Sequence, residues 1–166
     1  MKTYSETNQL APHLTNSSTL YERDYYLWLQ QTTLLLRNGQ LSDLELPNLI
    51  EELEDMGKKE RRSVYSNLKI LLLHLLKYKY QPQKRSHSWK FTIEEHRQRI
   101  REAFEDSPSL ENYCEEIFAA GKCYHDAKRL AVNETGLPSD LFPSHCPFSL
   151  EEVLAEDYIA GDDVLR

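Results

Sequence analysis

The sequence predicts an all-α protein, an irregular bundle of five or six helices with a long central helix or helix pair. Apolar residues recur at spacings of three and four along most of the chain. The 166 residues include only five glycines and are rich in the helix formers Leu, Glu, Lys and Arg. No segment alternates apolar and polar residues in the manner of a strand. A chain of this length can bury a core without disulfides or metals.

The first predicted element is a helix that follows a polar N-terminal stretch. Residues 1–18 are polar and are predicted to form a flexible arm. Tyr21, Tyr25 and Trp28 then follow helical spacing, and Gly39 is suited to end this first helix.

The central helical segment comes next. Pro47 suits the first turn of a helix, and an apolar stripe runs from there to about Tyr80, where Pro82 ends it. Gly57 interrupts the stripe but costs a helix only about 1 kcal/mol. The sequence therefore leaves open whether this segment is one long helix or two.

Two further helices and a short last one complete the prediction. Ser88 can cap a fourth helix. Pro108 begins a fifth helix, which we expect to run to Gly136. Ser149 and Glu152 form a capping box for the short last helix.

These elements are predicted to form one helical domain over residues 19–158, with a C-terminal tail over 159–166. Its core should consist of large apolar side chains from the helical stripes. The core candidates are Trp28, Leu53, Leu68, Leu72, Leu75, Trp89, Ile93, Ile100, Ile117 and Tyr124.

Cysteine usage and hydropathy predict a cytoplasmic protein. The three cysteines form no CxxC pair, and their odd number favours reduced thiols. The N-terminus has no apolar leader segment. No apolar run approaches the roughly 20 residues needed to cross a bilayer, so we expect no membrane contact.

Charge is distributed unevenly along the chain. The net charge of −7 argues against a general nucleic-acid binder. Residues 61–93, however, contain eight basic residues and no Asp or Glu, which leaves 12 basic against 27 acidic residues elsewhere. A division this strong within one chain predicts a partner for the basic segment, either inside the fold or outside it.

The most concentrated part of the basic segment is residues 77–90, where aromatic residues alternate with cations. Cations neutralise phosphates and aromatic rings stack on unpaired bases, which is the nucleic-acid interpretation. The alternative is internal neutralisation by acidic faces of the second, fourth and fifth helices. The candidates for binding an anion or a partner are Lys77, Lys79, Lys84, Arg85, His87 and Lys90.

An acidic cluster and a histidine give a weaker hypothesis, a metal site. Closely placed carboxylates can hold a divalent cation. The candidate ligands are Glu51, Glu52, Asp55 and His74. His74 can join the acids only if the chain folds back near Gly57. Ion pairs such as Glu54–Lys58 within one helix explain the cluster equally well, and His74 fits a core or interface position.

Other catalytic signatures are missing from the sequence. It contains no HExxH, no P-loop, no GxSxG and no ExxH pair. The sequence therefore implies no cofactor and favours a protein that is not an enzyme.

The connected segments resemble the domain of unknown function family 29, a bacterial family best represented in cyanobacteria. The resemblance extends from about residue 20 to about residue 158. It implies a helical domain of bacterial origin and implies no activity. The residues that carry it are Tyr21–Tyr25, Trp28, Glu51–Gly57, His74–Lys77, Ser88–Trp89, Thr92–Ile93, Arg97, Pro108–Leu110, Glu134–Pro138, Phe142–Pro143 and Cys146–Pro147.

The leading functional prediction is a non-enzymatic helical interaction or regulatory module. It would bind another protein, or a second copy of itself as a homodimer. The alternative is a nucleic-acid-binding protein that uses residues 77–90. The third hypothesis is a metal-dependent enzyme built on the acidic and histidine cluster.

Overall fold

The structure, a computed structural model, describes residues 19–160. The predicted arm, residues 1–18, and the tail from residue 161 onward lie outside the described residues. Residues 19–160 form seven α-helices and no strand, which confirms the all-α prediction. Five of the helices have more than seven residues. The helices are α1 (Leu20–Arg23), α2 (Tyr25–Arg37), α3 (Leu46–Tyr80), α4 (His87–Asp106), α5 (Ser109–Ala119), α6 (Lys122–Thr135) and α7 (Leu150–Leu154).

The chain divides into two compact units, Met1–Leu53 and Glu54–Arg166, and the division falls within α3. Short 3-10 helices lie in the connections, at Leu41–Asp43, Pro82–Lys84 and Ser139–Leu141. The single domain predicted over residues 19–158 stays a prediction. In the described part of the chain, no helix is both long enough and apolar enough to span a membrane.

Helix α3 is unbroken over 35 residues and passes straight through Gly57. This settles the alternative left open by the sequence in favour of one long helix. Lys58 bridges the preceding turn by pairing with Asp55 at 2.8 Å and with Glu54 at 3.9 Å. Such pairs between residues three and four apart stabilise a helix and offset part of the cost of the glycine.

In the first unit, the predicted first helix is two helices, because the chain breaks at Asp24. The Asp24 carboxylate accepts a hydrogen bond from the Leu27 N–H and so caps α2. Thr19 and Glu22 form a capping box around the single turn of α1. Two N-terminal caps five positions apart, Thr19 and Asp24, therefore divide what the apolar spacing predicts as one element.

The core of the second unit is built on the C-terminal half of α3. Of the ten predicted core residues, six are buried there: Leu68, Leu72, Leu75, Ile93, Ile100 and Tyr124. Trp28 is buried as well, whereas Trp89 and Ile117 are half-buried. The prediction for Leu53 is wrong, because its side chain is 59% exposed. The apolar stripe of α3 thus continues beyond the part that other helices cover.

The predicted fifth helix is also two helices, α5 and α6, divided at Gly121. Gly121 has a φ of +73°, a left-handed conformation that glycine adopts without strain. Its N–H donates to the Phe118 carbonyl and ends α5. Cys114 and Cys123 consequently lie on different helices, both buried with free thiols. Burial raises the pKa of Cys114 to about 11 and that of Cys123 to about 12.

The C-terminal segment is held by a buried arginine on α4. Arg97 is 1% exposed, and its guanidinium donates to three backbone carbonyls, those of Val153 (2.8 Å), Glu156 (3.2 Å) and Tyr158 (2.5 Å). The capping box predicted at Ser149 is present and opens α7. One charged side chain therefore satisfies backbone carbonyls in the last turn of α7 and in the segment that follows it.

Candidate interaction surfaces

Lys77 lies inside the second unit and is neutralised there. Its Nζ donates to the Glu134 carboxylate at 2.7 Å and lies 4.6 Å from the centre of the Trp89 ring. Its side chain is buried. The positive charge of Lys77 is therefore neutralised within the fold, by Glu134 on α6.

Arg85 and Tyr78 pack against each other at the end of α3. The Arg85 Nε donates to the Tyr78 carbonyl at 2.9 Å, and the guanidinium lies 4.4 Å from the centre of the Tyr78 ring. Lys90 lies 5.7 Å from the same ring centre. Tyr78 is only 3% exposed. Its ring is therefore already covered, and it is not free to stack on a base.

The remaining cations of the segment face solvent. Lys79, Lys84, His87 and Lys90 are exposed. Within residues 19–160, none of these four pairs with a carboxylate. Lys79 lies 5.4 Å from the centre of the Phe148 ring. Four of the six predicted anion-binding residues thus remain accessible to a partner.

The acidic cluster does not converge on His74. Because α3 is unbroken at Gly57, the fold-back that the metal hypothesis requires does not occur. The His74 Nδ1 lies 3.0 Å from the Ile70 carbonyl, one helical turn away, and burial lowers the pKa of its imidazole. Asp55 pairs with Lys58. In the described part of the chain, no group of three or more His, Cys, Asp or Glu side chains could hold a metal ion.

Glu52 instead belongs to a tyrosine cluster in the first unit. Its two carboxylate oxygens accept hydrogen bonds from the hydroxyls of Tyr21 (2.5 Å) and Tyr25 (2.6 Å). These bonds hold the tyrosines in the neutral form and raise the pKa of Tyr21 to about 12. Sequence reasoning missed this role of Glu52. The i, i+4 spacing of the two tyrosines predicts a helix, but it does not link them to an acid some 30 residues later in the chain.

Trp28 completes the tyrosine cluster. Its ring stacks with that of Tyr25 at 5.8 Å and meets the edge of Tyr21 at 4.9 Å. Among the described residues, the Trp28 Nε1 is buried without a hydrogen-bond partner. Packing of its rings, rather than hydrogen bonding, therefore fixes this side chain.

The first unit also carries most of the uncovered apolar surface. Of thirteen large apolar side chains that are exposed in the described residues, ten lie in this unit. They are Tyr25, Tyr26, Leu27, Leu29, Leu34, Leu36, Leu41, Leu46, Ile50 and Leu53. Clustering of this kind differs from the scattered single exposures that any soluble protein tolerates.

One part of this surface is the outer face of α2, formed by Tyr26, Leu27 and Leu34. Leu27 and Leu34 are seven residues apart and so lie on one side of the helix. That side points away from the buried Trp28 and Thr32. Tyr26 is 70% and Leu34 is 58% exposed. A helix normally presents polar residues on the side opposite its packed face, so this face is unusual.

A second part is the apolar stripe at the start of α3, formed by Leu46, Ile50 and Leu53. Their spacings of four and three residues place them on one side of the helix. All three are at least half exposed. Glu52 points to a different side, so the tyrosine cluster leaves this stripe open.

Within residues 19–160, these features define an all-α fold with two exposed apolar helical faces and several surface cations that form no ion pair there. The chain belongs to the family described as Domain of unknown function DUF29, which matches residues 20–159 and confirms the resemblance seen in the sequence. Comparisons with curated proteins and with solved structures give no match.

Proposed function

We propose that this chain is a non-enzymatic helical interaction or regulatory module that binds another protein through the outer face of α2. The observation that carries the proposal is the exposure of Tyr26, Leu27 and Leu34 on the side of α2 that is not packed. Uncovered apolar surface of this kind is typical of a protein-binding site.

The size of the face supports the proposal. At roughly 200 Å² for a large side chain, the exposed fractions of the three residues amount to about 300 Å². The largest apolar patch on an ordinary monomer is ~300–600 Å² and is often functional.

The state of the nucleophilic groups favours a binding role over catalysis. Burial holds Cys114 and Cys123 as neutral thiols, and thiols in that form are poor nucleophiles. The Tyr21 hydroxyl is held neutral by its hydrogen bond to Glu52. These groups are therefore explained by packing and by hydrogen bonding within the fold.

A nucleic-acid partner is the second candidate, favoured by the exposure of Lys84 and Lys90. Neither cation has a carboxylate partner within residues 19–160. Phosphate contacts predict binding that weakens steeply with salt. A variant with Lys84→Glu and Lys90→Glu should lose any salt-dependent binding of a single-stranded oligonucleotide. This candidate fails if the wild-type chain binds no oligonucleotide at low salt.

The main proposal is tested by affinity capture from the native cell with two matched variants. Leu34→Asp introduces a charge on the outer face of α2. Phe91→Asp makes the same kind of change at an exposed aromatic residue on α4. A buried leucine contributes about 1.5–3 kcal/mol to an interface, so Leu34→Asp should reduce recovery of the partner at least tenfold.

The control determines how the capture is interpreted. Phe91→Asp should recover the same protein as wild type, because Phe91 lies outside the proposed face. Equal recovery by the Leu34→Asp and wild-type chains would contradict the proposal. Loss of recovery with both variants would also contradict it, since the effect would then not be specific to α2.

A further inference from the structure

The charges on the N-terminal half of α3 reverse sign about Gly57. Residues 51–62 read Glu-Glu-Leu-Glu-Asp-Met-Gly-Lys-Lys-Glu-Arg-Arg. Four acids precede the Met56–Gly57 pair, and four bases at mirror-image positions follow it, together with one acid, Glu60, opposite Leu53. The mirror pairs are Glu51 with Arg62, Glu52 with Arg61, Glu54 with Lys59 and Asp55 with Lys58.

This pattern distinguishes between the two ways in which a second α3 could lie alongside the first. In an antiparallel pair that crosses near Gly57, the acidic end of each helix lies beside the basic end of the other. In a parallel pair, acids face acids and bases face bases. Like charges held opposite each other are destabilising, so the pattern favours the antiparallel arrangement.

The complementary charges also lie on one side of the helix. At 100° per residue, Glu54, Lys58 and Arg61 all fall within about 80° of Glu51 around the helix axis. A crossing centred on Met56, half a residue from the centre of the mirror pairs, brings Glu54 beside the partner's Lys58 and Glu51 beside the partner's Arg61. The two-fold axis repeats both pairs, which gives four ion pairs along one side of the contact.

Several of these charges have no ion-pair partner in the described part of the chain. Arg61 and Arg62 are exposed and pair with no carboxylate there, and the Arg61 guanidinium lies 5.4 Å from the Tyr113 ring centre. Both arginines and Lys58 line an open groove together with Tyr65, Ser66 and Tyr113. Glu51 is exposed and likewise forms no ion pair within residues 19–160. The two arginines, which form no ion pair within residues 19–160, give this groove a positive lining that fits an acidic helical segment.

Gly57 provides a point of close approach at the crossing. A Cβ added at Gly57 would meet no atom within 4 Å, so the surface here is open. A glycine at a helix crossing lets another backbone approach closely.

We propose that a second copy of this chain docks antiparallel along α3, crossing near Gly57, to form a two-fold symmetric dimer. The contact uses α3 rather than the outer face of α2, so the inference goes beyond the proposed partner binding. A stable dimer buries roughly 800 Å² on each partner from about 20–30 residues, more than one helical segment provides. The dimer should therefore be weak, in the micromolar range, and sensitive to salt.

Sedimentation equilibrium on the full chain tests this proposal by charge exchange. The first variant carries Arg61→Glu and Arg62→Glu, and the second carries Glu51→Arg and Glu54→Arg. Each alone should sediment as a monomer of about 19.5 kDa, because like charges then face each other. An equimolar mixture of the two should form a heterodimer, since the exchanged charges are again complementary.

Two further variants serve as controls. Lys84→Glu with Lys90→Glu changes the net charge as much as the first variant does, but away from α3, and it should still dimerise. The chain that carries all four α3 substitutions should form a homodimer again. Circular dichroism establishes that each variant remains helical, and raising the salt concentration on wild type should weaken its dimer without any substitution.

Three results would overturn the proposal. A wild-type chain that stays monomeric up to the hundred-micromolar range would do so. A first variant that still dimerises like wild type would also do so, and so would a mixture that forms no heterodimer. Leu34→Asp leaves α3 unchanged and should dimerise normally, so loss of partner capture and loss of dimerisation can be told apart.

Discussion

Removal of the Arg97 guanidinium should be among the most damaging single substitutions in the second unit. Arg97 is 1% exposed and donates to the carbonyls of Val153, Glu156 and Tyr158. Arg97→Met keeps the aliphatic stem and leaves these acceptors without their donor. An unsatisfied buried acceptor costs about 1–3 kcal/mol, and some of the carbonyls can regain water, so we expect a loss of roughly 3–5 kcal/mol.

The assay is urea unfolding followed by far-ultraviolet circular dichroism, together with amide hydrogen exchange. The unfolding midpoint should fall with little change in its urea dependence. Exchange should accelerate most in residues 149–160, because Arg97 anchors that segment to α4. Arg97→Lys serves as the matched control: it keeps the charge but cannot reproduce the planar set of donors, so it should recover only part of the loss.

Either of two results would contradict this role of Arg97. A loss below about 1 kcal/mol for Arg97→Met would mean that the three hydrogen bonds contribute little beyond solvation by water. Faster exchange spread evenly over the second unit would contradict the local anchoring role.

Three other predictions follow from the described contacts. Gly57→Ala should stabilise the monomer by about 0.5–1 kcal/mol in chemical unfolding, because α3 is helical there and the new methyl group meets no atom within 4 Å. The same substitution should weaken the dimer. A destabilised monomer would contradict this prediction. Trp28→Phe should cost clearly less than the ~3–5 kcal/mol expected of Trp28→Ala in thermal unfolding, because the indole nitrogen has no partner among the described residues; equal losses would contradict it. Hydrogen bonds from Tyr65 and Lys122 lower the pKa of Asp126 from 3.8 to about 2. The contribution of Asp126 to the stability of the fold is therefore complete above pH 3.8 and is lost as the pH falls towards 2. Asp126→Asn should flatten the pH dependence of acid unfolding over that range, and an unchanged profile would contradict this prediction.

The helices and most of the core could be predicted from the sequence, because apolar spacing reports local periodicity directly. The two glycines within helical patterns could not be told apart. Gly57 continues α3, where Lys58 pairs across the preceding turn, whereas Gly121 adopts a φ of +73° and ends α5. The sequence allows either outcome at both positions, and tertiary packing selects one.

Burial of the apolar stripe on α3 was harder to predict. The stripe runs from Leu46 to Leu75 without a change in period, so Leu53 reads as a core residue. Periodicity indicates which face of a helix is apolar but does not report whether another element covers that face. Leu53 and Leu68 share the pattern, yet one is exposed and the other is buried.

The basic segment illustrates the same limit for charge. Lys77 and Lys84 look equivalent in the sequence, because both lie in the stretch without acids. Lys77 is neutralised by Glu134, which is 57 residues away, whereas Lys84 is exposed. Only the tertiary arrangement brings such partners together, so the sequence could predict that the cations need partners but not which of them find one within the fold.

The central claim, that the outer face of α2 binds another protein, is tested most directly by site-specific photocrosslinking in the native cell. A photoreactive residue is placed at Leu34, and in a matched chain it is placed at Phe91, the exposed aromatic on α4. We expect a discrete crosslinked protein from position 34, with none or a different set from position 91. No crosslinked protein from position 34, or the same products from both positions, would contradict it.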